Sequence, residues 1–131
     1  MKLTIALVAV CIVGVINPAQ SEALRCDIAT KKWCVATSCN EGDGGGEYVI
    51  VNPDNGTYSL CVVGKADCEI LQIRDASFHG AFYTVKFGGN SFIKIATQSI
   101  DLVGLQKDKF IEVRDNMLGV MSSFGKCNSL Q

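Results

Sequence analysis

His79 is the single histidine of the chain, and histidine is the side chain whose ordinary pKa suits acid-base chemistry near neutral pH. A small hydrolase would need His79 beside a serine nucleophile and a carboxylate, and Ser77, Ser91 and Ser99 are the candidates for the nucleophile. The sequence has no Gly-x-Ser-x-Gly motif of the kind that presents such a serine. We therefore interpret His79 as an exposed loop residue and keep the hydrolase as an alternative.

Acidic residues form two short groups, Asp67 with Glu69, and Glu41 with Asp43 and Glu47. Two carboxylates facing each other across a cleft are the catalytic arrangement of most glycosidases. Both groups lie among turn-forming residues, so we interpret them as solvated side chains.

The segment NEGDGGGE, residues 40–47, is rich in glycine. It lacks the Lys-Ser or Lys-Thr pair of a phosphate-binding loop and the regular acidic spacing of an EF-hand. The composition therefore predicts a flexible loop. The lone tryptophan, Trp33, precedes it and is expected either to pack beside a disulfide or, if exposed, to anchor a protein partner.

Seven cysteines are present, and one of them, Cys11, lies in the apolar N-terminal stretch. The other six form an even set, which in an exported chain predicts three disulfides. Their spacing contains no Cys-x-x-Cys pair, so we expect neither a metal site nor a thiol oxidoreductase, and no cofactor. The six are Cys26, Cys34, Cys39, Cys61, Cys68 and Cys127.

The predicted hairpin over residues 57–71 favours one of these bridges. In it Val63 faces Cys68, and Cys61 lies one diagonal step away on the same face, which favours a Cys61–Cys68 bridge. The other four cysteines then form Cys26–Cys127 with Cys34–Cys39, or another partition that the sequence leaves open.

Residues 1–23 have the pattern of a secretory signal peptide. Lys2 precedes an apolar stretch over residues 3–16, and small residues follow it. Cleavage is predicted after Ser21 or Ala23, with Ala23 preferred. The apolar stretch is shorter than the roughly 20 residues that span a bilayer, so we expect no membrane span and a secreted or periplasmic mature chain.

The whole chain has 131 residues, 12 Lys and Arg against 13 Asp and Glu, and a net charge of -1. This balance, without a run of like charges, argues against nucleic acid and anionic membrane surfaces as partners. The length after the signal peptide suits one domain, residues 24–131.

Short apolar runs separated by Gly, Asn and Asp begin at Tyr48, and β-branched and aromatic residues fill them. This pattern predicts an all-β antiparallel meander of about eight strands, stapled by disulfides. The meander closes into a small barrel, which we prefer, or folds as a two-sheet sandwich. Residues 24–47 show little periodicity and predict a loop-rich N-terminal cap. The runs span residues 48–51, 57–63, 68–74, 81–87, 91–97, 99–105, 109–114 and 117–124.

The dipeptide Asn55-Gly56 is the strongest hairpin signal, because a tight turn needs residues that tolerate positive φ. The same asparagine opens Asn55-Gly56-Thr57, which fits an acceptor sequence for N-linked carbohydrate whose use depends on the host.

One internal repeat has a spacing of 18 residues, since the segment starting at Phe92 aligns with the segment starting at Phe110. Two copies predict two consecutive hairpins of one sheet.

Gly80 and Tyr83 match the glycine and tyrosine of a Ser-Gly-x-x-Tyr signature, and Phe92 with Lys94 resembles the aromatic residue and lysine that follow it. In these residues the chain resembles the periplasmic inhibitors of c-type lysozymes, which are small, exported, disulfide-tied antiparallel barrels. His79 stands where that family has serine, and no glycine follows Lys94. The resemblance implies non-covalent binding of a lysozyme.

These patterns together predict a small exported, non-enzymatic β domain that acts by non-covalent protein binding, with a lysozyme as one possible partner. A structural envelope protein and the hydrolase that uses His79 are the alternatives. The candidate binding residues are His79, Gly80, Tyr83, Lys94 and Trp33.

Overall fold

The computed structural model describes residues 22–130, so the predicted signal peptide up to Ser21 lies outside the described residues. Within that range no helix is both long and apolar enough to cross a membrane. The described chain forms nine antiparallel strands and a short 3-10 turn at Asp101–Val103. The strands are β1 (Leu24–Val35), β2 (Ser38–Asp43), β3 (Glu47–Asn52), β4 (Thr57–Val62), β5 (Glu69–His79), β6 (Phe82–Phe87), β7 (Ser91–Ala96), β8 (Lys109–Asn116) and β9 (Gly119–Ser129).

Eight of these strands close into a barrel, as the sequence predicts, and the two-sheet sandwich is not formed. The order around the barrel is β1, β3, β4, β5, β6, β7, β8 and β9, and β9 returns to β1. The closing strand β1 pairs with β9 from Leu24 to Cys34 and with β3 from Leu24 to Asp27. Closure removes the open edges that an eight-strand sheet would otherwise expose.

The loop-rich cap predicted for residues 24–47 is wrong, because this segment forms β1 and β2. The outer half of β1 leaves β3 and pairs with β2, with Trp33 opposite Asn40 and Val35 opposite Ser38. All six residues of β2 are exposed. With neither face of β2 covered, its sequence carries no apolar alternation.

The glycine-rich segment is likewise more ordered than the predicted flexible loop. Its first residues, Asn40–Asp43, belong to β2, and its glycines carry the chain across β1 to β3. The Gly44 N–H donates to the Ala29 carbonyl at 2.9 Å. A Cβ atom on Gly44 would overlap the Ile28 carbonyl oxygen, so this close crossing requires glycine.

The core fills the barrel with side chains from alternate positions of the strands. The ring of Tyr58 stacks on that of Phe87 with the centroids 3.7 Å apart. Val85 lies opposite Ile93 across the β6–β7 hairpin, and both are fully buried. Lys94, between the buried residues Ile93 and Ile95, points outward and is exposed.

The predicted strand over residues 99–105 is wrong. This part of the β7–β8 connection makes one isolated bridge, Ile100 with Leu105, around the 3-10 turn. Gly104 ends the turn in the left-handed conformation, with φ of 67°, which breaks an extended run. Leu102 is 96% exposed, so the apolar run lies on the surface.

The two copies of the internal repeat are not equivalent in the sheet. Ile93 and Ile95 point inward from β7, whereas Phe110 and Glu112 point inward from β8. The register places Ile95 opposite Phe110 and Ile93 opposite Glu112. Directly opposed residues share a face, so Phe110 points inward like Ile95. Phe92 is an odd number of positions from Ile95 and therefore lies on the opposite face.

Three disulfides staple the barrel, and each joins residues on adjacent strands or at their ends. Cys61–Cys68 is present as favoured, although Cys68 lies one step beyond the Leu60–Glu69 pair and thus opposite Cys61 rather than diagonal to it. Three disulfides are compatible with an extracellular or periplasmic protein. The other two bridges are Cys26–Cys127, between β1 and β9, and Cys34–Cys39, between β1 and β2.

Candidate functional site

The β5–β6 hairpin carries three of the candidate binding residues, His79, Gly80 and Tyr83, to one end of the barrel. β5 pairs with β4 through Gln72 and then with β6 from Ile73 to His79, with a register shift after Ile73. The strand ends at His79, and Gly80 reverses the chain with φ of 57°. L side chains rarely adopt this conformation, so glycine shapes the hairpin tip.

Phe78 and Tyr83 face each other across this hairpin, on its inner face. Their ring centroids are 4.6 Å apart and the rings are tilted by 32°. Phe78 is 68% exposed, whereas Tyr83 is only 7% exposed. Tyr83 therefore belongs mainly to the core and supports an exposed aromatic ring above it.

A mainly apolar cleft of about 240 Å³ opens beside these two rings. Burial, followed by the charge of Asp54, raises the pKa of the Tyr83 hydroxyl, so this group stays protonated at neutral pH. The cleft is a pocket for an apolar group with polar residues at its margin. It is lined by Glu22, Leu24, Phe78, Tyr83, Ile95, Ala96, Thr97, Lys107 and Asp108.

The outer face of the same hairpin carries His79 and Phe82, and Lys94 lies on the same face of the neighbouring strand β7. His79 lies opposite Phe82 on the neighbouring strand. The Lys94 ammonium lies 5.2 Å from the centroid of the Phe82 ring, a cation–π contact on an exposed surface. The structure thus brings His79, Gly80, Tyr83 and Lys94 to one corner of the barrel.

Trp33 lies elsewhere. It is nine residues further along β1 than Leu24, which lines the cleft, and nine residues of strand span about 30 Å. Its side chain is half-buried, and its cross-strand partners are Asn40 and Met121. Trp33 therefore belongs to a different surface from His79.

Two of the three serine candidates for a hydrolase, Ser91 and Ser99, make other contacts. The Ser91 hydroxyl accepts a hydrogen bond from the Asp115 N–H at 3.3 Å, and the Ser99 hydroxyl accepts one from the Lys107 N–H at 2.9 Å. Within residues 22–130, no hydrogen bond joins the His79 imidazole to a serine or a carboxylate. The described contacts do not assemble a nucleophilic triad around His79.

Three of the acidic residues from the sequence lie around a second cleft, of about 290 Å³, remote from His79 in the chain. Glu47, Asp67 and Glu69 line it together with two cations, Lys65 and Arg114. Sequence spacing alone did not reveal this convergence, because the residues come from different strands and turns.

Sequence reasoning missed a buried charged cluster near this second cleft. Glu112 is completely buried, and Arg114 Nε donates to its Oε1 at 2.7 Å. Lys31 forms an ion pair with Glu47. Burial raises the pKa of Glu112, and the charge and hydrogen bond of Arg114 oppose that rise most strongly. One signal for the burial of Glu112 was available in the sequence, because Glu112 lies two positions after Phe110 and so shares its face of the strand. The internal repeat indicated the opposite, because it aligned Glu112 with Lys94, which is exposed.

Metal ligation has no candidate in the described part of the chain, where no three His, Cys, Asp or Glu side chains are grouped to hold an ion.

No protein-family model, curated protein or solved structure matches the chain, so the resemblance to lysozyme inhibitors depends on the residues quoted for it.

Proposed function

We propose that this protein is an exported, non-enzymatic domain that binds a protein partner non-covalently through the tip of the β5–β6 hairpin. The observation that carries the proposal is the exposure of Phe78, 68%, beside an apolar cleft. Large aromatic side chains at the centre of an interface contribute a disproportionate share of binding energy. Phe78 and the cleft together offer a partner both an anchor and a pocket.

The hairpin is well suited to binding because contacts within the fold support its conformation. Tyr83 packs beneath Phe78, Gly80 fixes the turn, and β6 continues into the barrel wall. A preorganised surface loses less conformational entropy on association than a mobile loop. More of the contact energy then appears as affinity.

A c-type lysozyme is the partner that the resemblance implies. In this proposal Phe78 and His79 enter the cleft of the enzyme, and Lys94 contacts its margin. Tyr83 is 7% exposed, so its part is to support Phe78 from below rather than to make the main contact.

The test is inhibition of a c-type lysozyme titrated with the secreted protein, with Phe78→Asp and with Ile70→Asp. Ile70 is a matched control because it lies on the same strand and is 62% exposed, but on the half that pairs with β4. We expect wild type and Ile70→Asp to inhibit equally and Phe78→Asp to be weaker by about 30-fold, which corresponds to about 2 kcal/mol for a central aromatic.

Two outcomes would revise the proposal. Absence of inhibition by the wild-type protein removes lysozyme as the partner, and affinity capture with wild type and Phe78→Asp as paired baits then tests protein binding itself. Equal inhibition by all three proteins would exclude the hairpin as the binding surface, and the surface around Trp33 would be the next candidate.

A further inference from the structure

We propose that Asn55 is an acceptor for N-linked carbohydrate when the chain passes through a secretory pathway that contains an oligosaccharyltransferase. The inference goes beyond protein binding and concerns a different residue. It depends on export, which the predicted signal peptide and the three disulfides favour. Asn55-Gly56-Thr57 is the single Asn-x-Ser/Thr sequence in the chain.

The structure places this asparagine at the tip of a projecting turn. The Gly56 N–H donates to the Pro53 carbonyl at 3.3 Å, which makes Asp54 and Asn55 the two central residues of a β-turn between β3 and β4. Asn55 is exposed. Gly56 has φ of 70°, and a Cβ atom there would meet nothing within 4 Å, so the space around the turn is open.

The side chains of the acceptor sequence are already in contact. The Thr57 hydroxyl donates to the Asn55 amide oxygen at 2.5 Å. Among the described residues, the Asn55 amide nitrogen, which is the atom that is glycosylated, has no protein partner. Carbohydrate on this nitrogen therefore displaces no contact of the fold.

The co-reactant is an oligosaccharide carried on a polyprenyl pyrophosphate. The Asn55 side-chain nitrogen forms a bond to C1 of the first sugar, and the bond from C1 to the pyrophosphate oxygen breaks. The nitrogen loses one proton to a base of the transferase, and the polyprenyl pyrophosphate leaves with the electron pair. No oxidation or reduction takes place.

The test is the mass of the full chain expressed in a eukaryotic secretory host and collected from medium and cells, before and after treatment with peptide N-glycosidase. We expect the mass to fall by a whole glycan and residue 55 to be converted from Asn to Asp. Asn55→Gln and Thr57→Val should lack the glycan, whereas Thr57→Ser, which keeps the hydroxyl, should retain it.

Valine preserves the β-branched shape at the first residue of β4, so Thr57→Val should still form the three disulfides, as non-reducing peptide mapping can verify. A wild-type chain whose mass does not change on enzyme treatment overturns the proposal, as does a glycan that persists in Asn55→Gln. The readout is covalent mass, so it is independent of any lysozyme inhibition.

Discussion

Arg114 Nε donates a hydrogen bond to Glu112 Oε1 over 2.7 Å, and the acceptor side chain is completely buried in the barrel. Both residues point to the inner face of β8, with Phe110 two positions before Glu112. A buried carboxylate of this kind is tolerated because the Arg114 cation and its hydrogen bond offset part of the desolvation.

The first prediction is a pH dependence of stability that originates at Glu112. Burial raises its pKa in the folded chain above the ordinary 4.5. At pH values between the ordinary pKa and the raised pKa, the folded chain therefore binds more protons than the unfolded chain. The free energy of unfolding therefore falls as pH rises through that window, and the contribution is complete only below the ordinary pKa. Glu112→Gln should flatten this part of the profile, measured by thermal unfolding at a series of pH values. Parallel stability profiles of the wild type and Glu112→Gln across this pH range would contradict the prediction.

Tyr58→Phe should raise the free energy of unfolding by about 1 kcal/mol, because the buried Tyr58 hydroxyl has no hydrogen-bond partner among the described residues. The stacked contact with Phe87 is retained by the new ring. Urea unfolding of the two proteins measures the difference. A loss of about 1 kcal/mol instead would show that the hydroxyl is satisfied by a buried water molecule.

The loss of unfolding free energy on removal of each disulfide should increase with the length of the loop that the disulfide closes. On the chain-entropy estimate, loss of Cys26–Cys127, which spans 101 positions, costs about 4 to 5 kcal/mol. Loss of Cys61–Cys68 or Cys34–Cys39, which span 7 and 5 positions, costs about 2 kcal/mol. Paired Cys→Ala variants in urea unfolding test the order. A larger cost for Cys34–Cys39 than for Cys26–Cys127 would reverse it.

Gly125→Ala should be strongly destabilising, by about 3 kcal/mol, because its Cβ would overlap the Asp27 carbonyl oxygen and press on the Phe110 ring. Gly88→Ala is the control, since a Cβ there meets nothing within 4 Å, and it should change stability by no more than about 0.5 kcal/mol. Equal effects of the two substitutions would mean that β9 can move away from β1.

Alternation made the barrel predictable wherever one face of a strand is buried and the other is wet. Val85 and Ile93 lie at such inward positions, and both are fully buried. The same rule fails for β2, which lies outside the barrel and has two exposed faces. The rule also does not predict the burial of Glu112, because the burial of a charged residue depends on Arg114 and on neighbours from other strands.

The candidate site was predictable only in part, and for a similar reason. Local sequence placed His79 and Gly80 in a turn. The exposure of Phe78 depends on how far β5 continues past β4 before it pairs with β6, which is a property of the whole sheet. A one-dimensional pattern does not encode that distance.

The Cys26–Cys127 bridge joins the first and last strands where they already lie side by side. Everything between those two cysteines is consequently one covalent macrocycle. A protease that cuts one loop of it releases no fragment, because the Cys26–Cys127 bridge still joins the two pieces of the chain. In a protease-rich medium, one nick therefore leaves two polypeptide segments that are still held together covalently.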